Sequence, residues 1–134
     1  MKRKAELWLL LENNKLDLVC IVVAFVVYFF NRFVLKSATT GNVKYFCKNH
    51  LNDLVCPLFF LGISQIVLKL IHIRLEKLIS ILSLTIAGAF VWEVIGPWLN
   101  PQSVGDPIDV LCYVAGGLVY YFLNRFIDIR TNGD

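Results

Sequence analysis

Acidic side chains stand at three places in this chain where most neighbours are apolar. Asp53 follows "NHLN" at residues 49–52, Glu93 lies inside "FVWEVIGPWLN" at residues 90–100, and Asp106 and Asp109 belong to "GDPID" at residues 105–109. Carboxylates are hard oxygen donors. Brought together, they can bind a cation such as Mg²⁺ or Ca²⁺, share a proton, or act as an acid–base pair. Asn52 and His50 add an amide and an imidazole beside Asp53. The candidate binding set is therefore His50, Asn52, Asp53, Glu93, Asp106 and Asp109, with Asp53, Glu93 and Asp109 the candidate metal ligands. Carboxylates that meet cannot all stay ionised unless a cation or a basic group joins them. Lys44, Lys48 and His50 are the nearest basic candidates in sequence.

The elements that position these residues are membrane spans. Of 134 residues, 57% are apolar and 17% charged, so a water-soluble domain would leave too much apolar surface wet. An all-α integral membrane bundle follows, a single transmembrane domain with the lipid bilayer as its first partner. A span needs about 20 apolar residues to cross about 30 Å of hydrocarbon. Four segments qualify, at about 18–35, 52–71, 78–98 and 108–127. Ahead of them, Ala5–Leu16 mixes Leu7, Trp8, Leu9, Leu10 and Leu11 with Glu6, Glu12 and Lys15, as expected of a short interfacial helix. The basic start, Met1-Lys2-Arg3-Lys4, resembles a signal peptide, but the polar stretch Glu12–Asp17 and the lack of a small-x-small site favour an uncleaved first helix. Residues 37–50 read as the longest connection, its second half a further interfacial segment.

Lys and Arg set the orientation. With the N-terminus inside, Lys2, Arg3, Lys4, Lys15, Lys69, Arg74, Lys77, Arg125 and Arg130 are cytoplasmic, and Arg32, Lys36, Lys44 and Lys48 are outside. Nine against four places both termini in the cytoplasm of a multi-pass cell-membrane protein. Cys47 would serve as a native label for the outer side. The four cysteines form no CxxC; a Cys47–Cys56 bridge is conceivable, and the others read as small hydrophobes. "YFFNRF" (28–33) recurs as "YFLNRF" (121–126), read as two aromatic belts with an arginine reaching the headgroups. The net charge of +3, spread over span ends, gives no nucleic-acid groove.

In an up-down-up-down bundle, the start of span two, the end of span three and the start of span four share one face. All four acids then fall in one layer, whichever way the chain inserts. Some have structural explanations. Asp106-Pro107-Ile108-Asp109 has the form of a helix start, with Asp106 as the cap, and Asn52 and Asp53 could cap span two. Glu93 has none: it lies near a helix C-terminus, where the dipole disfavours an anion, with no Lys or Arg within a turn.

"NHLNDLVCPLFFLG" and "VWEVIGPWLNPQSVGDPIDVLCYVAGGLVYYF" together resemble the small VanZ-like bacterial membrane proteins, in an uncharacterised branch. The resemblance covers roughly residues 49–122. It implies Glu93 and Asp109 as the family acids, Asp106 and Asp53 in the branch pattern, and Gly116 as the family glycine. It also implies a role at the cell envelope linked to glycopeptide tolerance. Gln102 and Ser103 stand where these proteins usually carry an arginine, and Tyr113 where an asparagine is usual.

Three function classes remain. The first is an accessory or resistance protein whose outer acidic pocket engages a cation, a lipid headgroup or a cell-envelope precursor. The second is a lipid-modifying enzyme, against which stands the lack of HExxH, GxSxG and phosphate-loop motifs. The third is a small transporter or channel, which four short spans could form only as a homo-oligomer. Membership of a larger membrane complex is a fourth possibility.

Overall fold

The computed structural model describes residues 2–99, 101 and 106–131, and all of its elements are helical. The chain runs α1 (Lys2–Asn13), α2 (Lys15–Phe30), a π-helical segment (Asn31–Leu35), α3 (Lys36–Ala38), α4 (Gly41–Asn49), α5 (Leu51–Leu70), α6 (Leu78–Leu99) and α7 (Pro107–Thr131). Four helical runs are long and apolar enough to cross a membrane: Lys15–Ala38, Gly41–Leu70, Leu78–Leu99 and Pro107–Arg130. The expected all-α bundle of four transmembrane helices is therefore present. Side chains such as Val22, Val26, Phe29, Ile79, Phe90 and Phe122 are exposed, as helices solvated by acyl chains require.

The second span begins earlier than its hydropathy suggests. Within the expected connection at 37–50, only Thr39 and Thr40 are extended, and helix resumes at Gly41. Gly41 has φ +62°, a left-handed conformation open to glycine without a Cβ penalty, so the chain reverses there in two residues. His50 (φ −122°, ψ −22°) interrupts the run between α4 and α5. Cys47 is buried and free, so it is no accessible label, and the conceivable Cys47–Cys56 bridge is not formed.

α5 is the axial helix. It packs mainly against α2 and α7, while α6 rests chiefly on α7. Adjacent glycines of α7 make two of these contacts possible. A Cβ on Gly116 would collide with the Leu54 carbonyl of α5, and one on Gly117 would lie 2.8 Å from Thr85 Oγ1 of α6. At the other end α5 stops in a Schellman motif, with Ile73 N–H donating to Leu68 C=O (2.9 Å), His72 N–H to Lys69 C=O (3.1 Å), and His72 at φ +59°. The following loop is fastened by side chains. Leu75 N–H donates to Gln65 Oε1 (2.9 Å), and Asn124 Nδ2 donates to Leu75 C=O (3.3 Å).

At this same end Asp17 of α2 is 2% exposed. Lys69 Nζ of α5 donates to its Oδ2 (2.6 Å) and Tyr120 Oη of α7 to its Oδ1 (2.6 Å). One carboxylate thus ties three spans, and each of its oxygens has a partner. Removing one member strands the others in a poorly solvating interior. Lys69→Met should cost about 3–5 kcal/mol in SDS-titrated unfolding, and adding Asp17→Leu should recover part of that loss. Gly116→Ala should also destabilise, by wedging α5 from α7; an unchanged unfolding midpoint for it would contradict this packing.

Candidate functional site

The opposite end of the bundle holds the predicted acids. α5 opens with Leu51-Asn52-Asp53, α7 with Pro107-Ile108-Asp109, and His50 stands between α4 and α5. The close approach at Gly116 brings the starts of α5 and α7 together. His50 Nδ1 lies 2.8 Å from Asp109 Oδ1, with the imidazole N–H donating to the carboxylate. Tyr113 Oη, one turn further along α7, donates to Asp53 Oδ1 (3.3 Å). One donor atom each of His50, Asp53 and Asp109 lies within 4.8 Å of the others, a spacing that a single cation could bridge.

His50 is the most deeply held of the three, 4% exposed, with the Tyr45 and Phe46 rings 5.6 and 6.1 Å from its own. Its Nε2 is buried and without a hydrogen-bond partner. Asn52 is oriented from the first span. Asn31, 0% exposed, donates from Nδ2 both to Asn52 Oδ1 (3.0 Å) and to Cys47 C=O (2.7 Å). Asn31 starts the π-helical segment, a wider turn of the kind that re-aims a side chain.

The remaining candidates separate. Asp106 acts as a cap: its Oδ1 accepts from Ile108 N–H (3.0 Å) and its C=O from Asp109 N–H (2.9 Å). Glu93 is half-buried on α6 and close enough to Tyr113 to interact with it electrostatically, but it is not a member of the three-residue group. The reason lies in the packing. α6 leans on α7, and an apolar furrow of about 440 Å³ separates it from α5. No hydrogen bond or ion pair is found for Glu93 among the described residues. Lys44 and Lys48 are exposed and form no ion pair among the described residues, so His50 alone of the expected basic companions joins the acids. Gln102 and Ser103 lie outside the described residues.

Two signals in the sequence point at this site more sharply than hydropathy does. Pro57 lies inside α5 and Pro97 inside α6, each four residues after an acid, Asp53 and Glu93. A proline has no N–H, so the main-chain carbonyls of Asp53 and Glu93 lose their helical i+4 donor. Each acid therefore stands at a helical position whose main-chain carbonyl lacks its usual i+4 donor. The second signal is the repeated Asn-Arg. In both copies the arginine is exposed, but the asparagine turns inward, Asn31 to Cys47 of α4 and Asn52 of α5, and Asn124 to the loop after α5.

No protein-family model, curated protein or solved structure matches this chain. The His50–Asp109 contact joins α7 to the α4–α5 junction. In a double-mutant cycle, His50→Phe and Asp109→Asn should couple by about 1–3 kcal/mol, the range for hydrogen bonds to a charged group. Additive effects in thermal unfolding would show that the two side chains do not support each other.

Proposed function

We propose that this chain is a cation-binding protein of the cell membrane whose His50–Asp53–Asp109 cluster engages a positively charged ligand at one membrane surface. The observation that carries the reading is the lack of compensation. The buried acid at the other end, Asp17, has a lysine and a tyrosine on its two oxygens. Asp53 and Asp109 meet with one imidazole, one tyrosine and no Lys or Arg in ion-pair contact among the described residues. Two carboxylates this close repel each other unless a cation or proton lies between them. The carbonyl freed by Pro57 adds an oxygen donor on Asp53 itself.

The resemblance to VanZ-like proteins fits an accessory role at the cell envelope, and the excess of Lys and Arg at the Asp17 end supports cytoplasmic termini with the cluster facing outward. An enzymatic or transport role needs more than the cluster offers: a nucleophile, or a path through the bilayer.

Two experiments test the reading. Purified protein, titrated with Mg²⁺, Ca²⁺ and methylammonium, should gain a few degrees of thermal stability, roughly the 1–3 kcal/mol of mass-action binding at ligand concentrations well above Kd. The gain should disappear in Asp53→Asn/Asp109→Asn. No response of the native protein to any of the three cations would refute the site. For orientation, Lys48→Cys, in a chain whose four cysteines are replaced, should label with impermeant maleimide on intact cells. Labelling only after lysis would reverse the topology.

A further inference from the structure

Two apolar furrows run side by side along the bundle, the first beginning at Asp53 and the second about one turn deeper, at Cys56 and Tyr113. The first, about 430 Å³, lies between α2 and α5 and is walled by Ala24, Phe25 and Val55. The second, about 440 Å³, lies between α5 and α6 and is walled by Phe60, Leu84 and Gly88. Cys56, Phe59, Trp92 and Tyr113 line both. The furrows follow the helix axes. From Asp53 to Phe59 is about 9 Å along α5, and from Trp92 to Leu84 about 12 Å along α6, at 1.5 Å per residue. Phe25 and Trp92, 47% and 56% exposed, leave the furrows open sideways, towards the acyl chains.

Among the described residues Asp53 is the only charged one lining either furrow, and it stands at the cluster end of the first, beside Asn52. The amide oxygen of Asn52 is occupied by Asn31, so its N–H groups are the ones turned to other partners. A ligand that fits this layout has two apolar chains, a positively charged hydrogen-bond donor and an adjoining acceptor. We infer that the site binds a two-chain phospholipid with a primary-amine headgroup, its chains in the two furrows, its ammonium on Asp53 and its phosphate within reach of Asn52. Charge complementarity selects the headgroup: an anionic headgroup without an amine would meet Asp53 and Asp109 with repulsion. This inference rests on the cation reading of the cluster and names the molecule that carries the cation.

The test is retention of lipid by purified protein in native mass spectrometry, from equimolar dioleoyl phosphatidylethanolamine and dioleoyl phosphatidylglycerol. Phosphatidylethanolamine should be retained in roughly tenfold excess, the worth of one charge-assisted hydrogen bond. Asp53→Asn should bring the two lipids to parity. Ala87→Phe, which fills the second furrow from its exposed wall, should weaken retention of the two-chain lipid and spare the one-chain lyso form. Equal retention of the two lipids by the native protein, or a preference that survives Asp53→Asn, overturns the inference, as does an Ala87→Phe protein that retains both forms unchanged. If the thermal response to free cations persists while the lipids are retained equally, the lipid falls and the cation site stands. If both are absent, the cation site falls too.

Discussion

A carboxylate between apolar helices has no water to solvate it, so the protein must supply its partners. Asp17 meets this demand in full, with Lys69 and Tyr120 each 2.6 Å away on separate helices. The three spans so joined, α2, α5 and α7, are the ones whose mutual register decides everything at the opposite end. α5 is held against α2 and α7 along its length, and its first turn is therefore delivered to the first turn of α7. His50, Asp53 and Asp109 meet because that register is fixed some 25 Å away, about 16 residues of helix from Lys69 to Asp53.

The same constraint separates what is structural from what is available for binding. At the Asp17 end the buried carboxylate has both oxygens bonded, and the one buried side-chain atom without a partner among the described residues there is the neutral amide oxygen of Asn14. Even the loop around Leu75 has both of its main-chain groups bonded by side chains. At the Asp109 end the account does not close. His50 Nε2 and Asn31 Oδ1 are buried without partners, and Asp53 and Asp109 stand close together with one imidazole, on Asp109, and one tyrosine, on Asp53. A bundle built only for stability would gain from replacing such groups with apolar ones. Their presence beside two open furrows is the basis for assigning the site.

Hydropathy and length made the four spans legible, because a span of about 20 apolar residues has few other readings. Span order alone placed Asp53 and Asp109 in one layer. Packing decides what span order leaves open. His50 reads as a candidate binding residue beside the acids, but its burial is not legible in the sequence: the ring is enclosed by Tyr45, Phe46 and Asp109. Glu93 reads as the central acid, yet α6 rests on α7 and is held off α5 by a furrow, so its carboxylate stays outside the group. Residues 41–49 read as a connection because Asn42, Lys44 and Lys48 dilute their hydropathy, although they are helical. Asn31 lies in a motif that reads as an aromatic belt with an outward arginine, and nothing in that pattern marks the asparagine as buried.

The central claim is that the buried carboxylate at one end of the bundle is compensated by Lys69 and Tyr120, and that the carboxylates at the other end are held open for a cation. The most direct measurement compares the unfolding of Asp17→Asn and Asp53→Asn in detergent without added divalent ions or amine lipid. The account predicts that Asp17→Asn loses stability, since it weakens a satisfied ion pair, and that Asp53→Asn holds or gains stability, since it relieves repulsion between carboxylates. Equal losses in the two variants would contradict it, because Asp53 would then be as structurally committed as Asp17.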